Sequence, residues 1–181
     1  MPEHDLREGR SMPLPSYLSY LMYQTEQHRR AMAADHVARH GLSFPKWVAM
    51  LSLARFGECS MTRLAKLSAA DRTTLTRSID GLIRDGLVER GGAPNDRRKV
   101  VVRLTPTGAA LLQTIRDELA PLHQEACSEL SADEQSALAF YLKKMLGGLI
   151  PEPDWKDEIL SFGPPLPSGA GPAAFAVATS G

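Results

Sequence analysis

The stretch Met61–Arg90, MTRLAKLSAADRTTLTRSIDGLIRDGLVER, leaves this chain few ways to fold. Met61–Leu67 carries a short helix pattern, and the small residues Ser68, Ala69 and Ala70 form a turn. A longer helix pattern runs from about Asp71 to Asp85, where Gly86 breaks it. Within it Leu75, Ile79, Leu82 and Ile83 fall at i, i+4, i+7 and i+8 and share one inward stripe. Thr73, Thr76, Arg77, Asp80 and Arg84 occupy the opposite stripe. Asp71 sits at the N-cap position, where its carboxylate can accept from the amide of Thr73 or Thr74. Two helices joined by so tight a turn make a helix-turn-helix.

The residues after Gly86 narrow the fold further. Leu87–Arg90 and the β-branched run Val100–Leu104 read as two short strands. Between them Gly91–Lys99 reads as a turn that ends in three cations, Arg97, Arg98 and Lys99. A hairpin with a basic tip beside a helix-turn-helix predicts a winged helix, in a chain that is mainly α with a small β-hairpin wing. Taken alone, the outward face of the second helix reads equally well as an ordinary solvated face. Beside the cationic tip it gains a use. Threonine bonds phosphates or base edges, arginine forks onto guanine, and a flexible cationic tip reaches phosphates or a narrow minor groove.

The run LAKLSAADRTTLTRSIDGLIRDGLVER, with NDRRKVVVRLTPTG after it, resembles the MarR family of bacterial transcriptional regulators. The resemblance extends over roughly residues 16–148 and is strongest over 64–108. It implies a dimeric winged helix-turn-helix whose long N- and C-terminal helices form the dimer, and which responds to a small molecule or an oxidant. On this resemblance Arg97 enters the minor groove, Arg98 and Lys99 meet phosphates, and Asp96 orients the wing by pairing with an arginine. Thr73, Thr76 and Arg77 face the major groove, Arg72 holds phosphate, and Thr74 is a further DNA-binding residue. The expected function is a repressor on a pseudo-palindromic operator, released by a small aromatic or phenolic ligand. Its expected partners are double-stranded DNA, a second copy of the chain and that effector, with no cofactor.

Charge is informative only through its distribution. The whole chain balances 21 Lys and Arg against 21 Asp and Glu. Between Ser60 and Leu104, however, Arg63, Lys66, Arg72, Arg77, Arg84, Arg90, Arg97, Arg98, Lys99 and Arg103 outnumber Asp71, Asp80, Asp85, Glu89 and Asp96 by ten to five. A local positive field on a neutral protein is the footprint of a nucleic-acid reader. Two well-separated cysteines, Cys59 and Cys127, make no disulfide framework, so a reducing cytoplasm is the expected compartment. No stretch has the length and apolarity of a membrane span.

The flanks are read by the same rules. Residues 1–15 are polar and predict a mobile arm. Residues 16–40 predict a long helix, ended by Gly41, with Leu18, Leu21, Met22, Thr25, Met32 and Ala33 on its apolar stripe. Its His36 and His40 have metal-ligand spacing but no third ligand nearby, so no metal is expected. Ser43 and Pro45 start a second helix to about Phe56, with Trp47, Val48, Leu51 and Ala54 inward. The family resemblance makes Met32, His36, Trp47 and Met50 candidates to line an effector pocket, although each also reads as plain core.

Cys59, at a helix N-terminus, offers an alternative as an oxidant-sensing thiol with a lowered pKa. Thr105-Pro106 opens a further helix, which Pro121 should kink or end, and Cys127 on it reads as buried and inert. Ser131–Glu134 is a capping box opening a last helix with Leu138, Tyr141, Leu142, Met145 and Leu149 on one stripe. The segments 16–40 and 106–149 are thus the expected dimerisation helices around a winged helix at 43–105, all within one body at 16–150. Residues 151–181 form a Pro-, Gly- and Ala-rich tail expected to be largely disordered, with Trp155, Ile159, Leu160 and Phe162 able to clip 154–162 to the body. A winged-helix protein-interaction module without DNA binding is the remaining alternative. No phosphate loop, nucleophile elbow or catalytic carboxylate–histidine set is present, so an enzyme is not expected.

Overall fold

The computed structural model describes residues 12–93 and 96–163, with only the backbone of 96–98 described. The expected arm, apart from residues 12–15, and the tail beyond Gly163 lie outside the described residues. The chain divides into two compact units, Met1–Phe44 and Pro45–Gly181.

Among the described residues, the first unit holds one long helix, α1 (Leu14–Arg39). It starts two residues before the expected Ser16, because Pro13 and Pro15 supply the fixed φ that suits a first turn. Gly41 ends it in the left-handed region, at φ 72, which glycine reaches without a Cβ penalty. Ala33 and Val37 are buried, whereas Tyr17, Leu18, Tyr20, Leu21 and Tyr23 are exposed. The expected stripe is therefore covered only in the C-terminal half of the helix.

The second unit contains α2 (Phe44–Phe56), α3 (Met61–Ser68), α4 (Arg72–Arg84), β1 (Val88–Ala93), β2 (Asp96–Leu104), α5 (Pro106–Ala126), α6 (Ala132–Leu149) and α7 (Pro153–Leu160). Its buried apolar set includes Trp47, Met50 and Leu53 of α2, Leu64 and Leu67 of α3, and Leu75, Ile79 and Leu82 of α4. Burying each such side chain contributes about 1.5–3 kcal/mol relative to leaving it in water. Ala54, expected inward, is exposed; Ser52 and Leu53 are the buried residues just before it, with Ala49 and Met50 one turn back.

Helix ends follow the local chemistry. Ser60 caps α3, Asp71 caps α4, Thr105 caps α5 with Pro106 at its first position, and Ser131 with Glu134 closes the capping box of α6. Pro121 lies inside α5 and does not end it; the helix continues to Ala126. Cys127 is the C-cap of that helix and half-buried, rather than a buried helical residue.

The hairpin is longer than its β-branched residues suggest. Gly91 and Gly92, expected in the turn, pair with Val101 and Val100, and the ladder reaches Ala93 opposite Asp96. The register breaks between Gly92 and Ala93, so the extra residues Arg97, Arg98 and Lys99 bulge from β2. Cys59 adds a bridge to Val102 on the other edge of β2, with both backbone hydrogen bonds made, at 3.2 and 3.0 Å. That bridge ties the start of the helix-turn-helix to the wing.

The tail from Pro151, expected to be largely disordered, contains a helix. α7 packs on α3 and α6. Its order comes from Trp155, Ile159 and Leu160, all half-buried, the residues expected to clip it to the body.

Candidate nucleic-acid interface

α3 and α4 are set by their turn and cap. Ala69 ends α3 in the left-handed region at φ 49, an unusual conformation for alanine that turns the chain toward α4. The Asp71 carboxylate accepts from the Thr74 amide at 2.8 Å. That backbone hydrogen bond, followed by the Thr74 side chain, holds the Asp71 carboxyl below the usual carboxylate range. The stability it contributes is present above the ordinary carboxylate pKa and is lost as pH falls through the lowered one. Asp71→Ala is expected to lower the melting temperature at neutral pH by roughly 2–5 °C, and Asp71→Asn much less. Thermal melts followed by circular dichroism check this; equal losses for the two variants would show that the cap hydrogen bond is not what stabilises α4.

With Leu75, Ser78, Ile79 and Leu82 buried, the opposite face of α4 is turned out. Arg72, Thr73, Thr74, Thr76 and Arg77 are all exposed. The Thr76 hydroxyl donates to the Arg72 carbonyl at 2.8 Å and keeps its lone pairs as acceptors. Asp80, further along this face, pairs with Arg90 of β1 at 2.5 Å, and Asp85 pairs with Lys46 of α2 at 2.6 Å. Lys46 crosses Gly81 so closely that a Cβ there would stand 2.6 Å from its Cε. These ion pairs neutralise the acidic residues at the C-terminal end of α4 and leave its N-terminal half cationic.

The base of the wing is held by an arginine that the periodicity did not single out. Arg103 stands directly opposite Glu89, to which its Nε donates at 2.7 Å, and its Nη1 reaches Glu58 at 3.4 Å. The Glu89 hydrogen bond, then its charge and Glu58, favour the charged form of the guanidinium. Gly91 leaves room for it, since a Cβ there would lie 3.2 Å from Nη1. Arg103 thereby joins β1, β2 and the approach to α3. At the tip, the backbone of Asp96, Arg97 and Arg98 is in β2, and nothing beyond their backbone is described; Lys99 is exposed.

A family model described as MarR family matches residues 42–100, which hold α3, α4 and most of the wing. The multiple antibiotic resistance protein MarR of Salmonella typhimurium is 32% identical over 130 residues, 71% of this chain and 90% of that protein. The chain belongs to the MarR family. Its fold agrees with solved MarR-family structures. A mutant MarR from E. coli complexed with operator DNA matches with a TM-score of 0.63 at 30% identity, covering 74% of this chain and 94% of that one. BpsR of Bordetella bronchiseptica, whose DNA binding is regulated by 6-hydroxynicotinic acid, matches with a TM-score of 0.64 at 26% identity, covering 75% and 97%. The chain is thus a MarR-type transcriptional regulator.

Within this MarR-family chain the thiol alternative meets an obstacle. Cys59 is 3% exposed. Burial pushes its pKa up, Glu158 adds to the rise, and Arg63 only partly opposes them. A thiol that is both buried and held protonated is a poor target for an oxidant, so the expected lowering at the helix N-terminus is overturned by desolvation. Of the pocket candidates, Trp47 and Met50 are buried on α2, at 3% and 0% exposure, while Met32 and His36 are half-buried on α1. His36 Nδ1 is buried with no hydrogen-bond partner among the described residues. No group of three or more metal-binding side chains occurs among the described residues.

Proposed function

We propose that this chain is a homodimeric repressor that binds a pseudo-palindromic operator and is released by a small aromatic acid. The observation that carries the DNA reading is the exposed row Arg72, Thr73, Thr74, Thr76 and Arg77, capped by Asp71 and set beside a wing that bulges at three consecutive cations. Thr73, Thr74, Thr76 and Arg77 read base edges in the major groove, and Arg72 clamps phosphate. Arg97 enters the minor groove, Arg98 and Lys99 bind its flanking phosphates, and Asp96 orients the tip. That a solved E. coli relative is complexed with operator DNA supports double-stranded DNA as the partner.

Two observations support a dimer. α1 exposes Leu14, Tyr17, Leu18, Tyr20 and Leu21, and α6 exposes Leu138, Tyr141, Leu142, Met145 and Leu149. Apolar rows of this extent are rarely left in water, and a second copy provides the cover. Two recognition helices on a two-fold then meet half-sites about 10 base pairs apart. An aromatic acid as effector is supported by BpsR and its 6-hydroxynicotinic acid. On α1, His36 Nδ1 gives such an acid a polar group to meet; Met32 on the same helix and Trp47 and Met50 on α2 are the apolar candidates.

A nuclease footprint on DNA flanking the protein's own gene tests the reading. Two protected half-sites are expected, weakening steeply as salt rises and released by one member of a panel of aromatic and phenolic acids but not by peroxide. Absence of protection even at low salt would refute the DNA assignment, and release by peroxide alone would refute the effector class.

A further inference from the structure

α7 lies beyond the residues matched by the family model, and it carries charge of the opposite sign to the segment it covers. Glu152, Asp154, Asp157 and Glu158 face one cation, Lys156, within its sequence and cap. Its ion pairs fall on α3. The Glu158 carboxylate accepts from the Arg63 guanidinium of α3. Glu152 lies 3.9 Å from Lys66 Nζ, which also sits 5.3 Å from the centre of the Trp155 ring. Just past α7, Phe162 meets the Phe56 ring edge-on at 5.4 Å and lies 5.1 Å below the Arg55 guanidinium. On its other side α7 closes on α6 at Gly147, where a Cβ would stand 3.1 Å from Lys156 Cε and 3.2 Å from Leu160 Cδ1.

One short acidic helix therefore engages Arg63 and Lys66, both on the first helix of the helix-turn-helix, while anchored to α6. In helix-turn-helix complexes that first helix crosses the DNA backbone, and phosphate contacts by its cations supply sequence-independent affinity through counterion release. The α7 carboxylates occupy the same cations that phosphates would use. We propose that α7 is an intramolecular phosphate mimic, an acidic strap that competes with DNA for Arg63 and Lys66 and so suppresses sequence-independent binding. The strap is built to yield. Arg63 and Lys66 remain 38% and 49% exposed, and ion pairs that open to water are individually weak, so a duplex positioned by α4 can displace it. A scrambled duplex gains less and is rejected more often. The proposal rests on the DNA-reading role of α3 and α4.

The test compares the full chain with its Glu152→Gln/Glu158→Gln variant. Each is titrated by fluorescence anisotropy with the footprinted operator and with a scrambled duplex over a series of salt concentrations. The variant should bind the scrambled duplex about 3–10-fold more tightly, with a steeper salt dependence by up to about two phosphate contacts. Arg63→Gln should then weaken binding more in the variant than in the parent chain, because only there is Arg63 free to meet phosphate. Equal or weaker binding by the variant, or an Arg63→Gln effect of the same size in both backgrounds, overturns the strap. Thermal melts and Trp155 emission verify that the variant is folded and that α7 has loosened. If neither protein binds any duplex, the DNA-reading role itself fails and takes the strap with it, whereas equal binding by both sinks the strap alone.

Discussion

Gly108→Ala is expected to destabilise the protein by about 3 kcal/mol or more, through a clash of main chain with a new methyl. Gly108 is buried in the first turn of α5, and a Cβ there would stand 2.0 Å from the Leu87 carbonyl oxygen and 2.9 Å from its carbon. Neither partner can move cheaply. The Gly108 amide donates to Thr105 Oγ1 at 3.0 Å, the Thr105 hydroxyl donates to the Gly86 carbonyl at 2.8 Å, and the Thr105 amide donates to Leu87 at 3.1 Å. Retreat of α5 from Leu87, carrying its Thr105 cap with it, breaks the two Thr105 bonds to Gly86 and Leu87 together, at the point where α4, the wing and α5 meet. Urea denaturation measures the cost. A midpoint within experimental error of the parent chain would mean that α5 does not approach Leu87 this closely.

Arg97→Ala is expected to weaken operator binding by about 1–3 kcal/mol while leaving the fold and assembly intact. The wing is held by backbone pairing from Val88↔Leu104 to Gly92↔Val100 and by Arg103, none of which depends on the side chain at 97. Loss of that guanidinium removes a minor-groove contact and at least one released counterion, so the salt dependence should also become shallower. Gel-shift titrations at several salt concentrations, with size-exclusion chromatography as the control for assembly, decide the matter. Undiminished affinity would remove Arg97 from the interface and leave the major-groove face of α4 to account for binding.

Whatever depends on neighbours a few residues apart was legible in the sequence. The caps at Asp71, Thr105 and Ser131 are found where expected, because a cap is a contact between residues three apart. Of the stripe Leu75, Ile79, Leu82 and Ile83, the first three are buried and Ile83 is half-buried, as its 3.6-residue period implied, and the outward row of α4 is exposed as its complement. Chemistry that a local rule covers only partly was misjudged. The dipole argument for a reactive Cys59 ignored burial, and glycines taken as a turn proved able to stay in the ladder. Pro121 did not end α5, since a missing amide and a local clash are tolerable in a helix extended on both sides.

By its periods, caps and cationic hairpin tip, the chain alone determined that it builds a helix-turn-helix with a wing, and which face of α4 is turned outward. Only the tertiary structure decided how those parts are locked. The closeness of Gly108 to Leu87, the Cys59–Val102 bridge, the clasp of Arg103 on Glu58 and Glu89, and the seating of α7 on Arg63 and Lys66 all came from there. The reason is distance along the chain. Secondary-structure patterns record interactions within one turn of helix or across one pleat. Most of these locks join residues 20 to nearly 100 positions apart, as Glu158 and Arg63 are 95 apart, so their partners exist only once the chain has folded back upon itself.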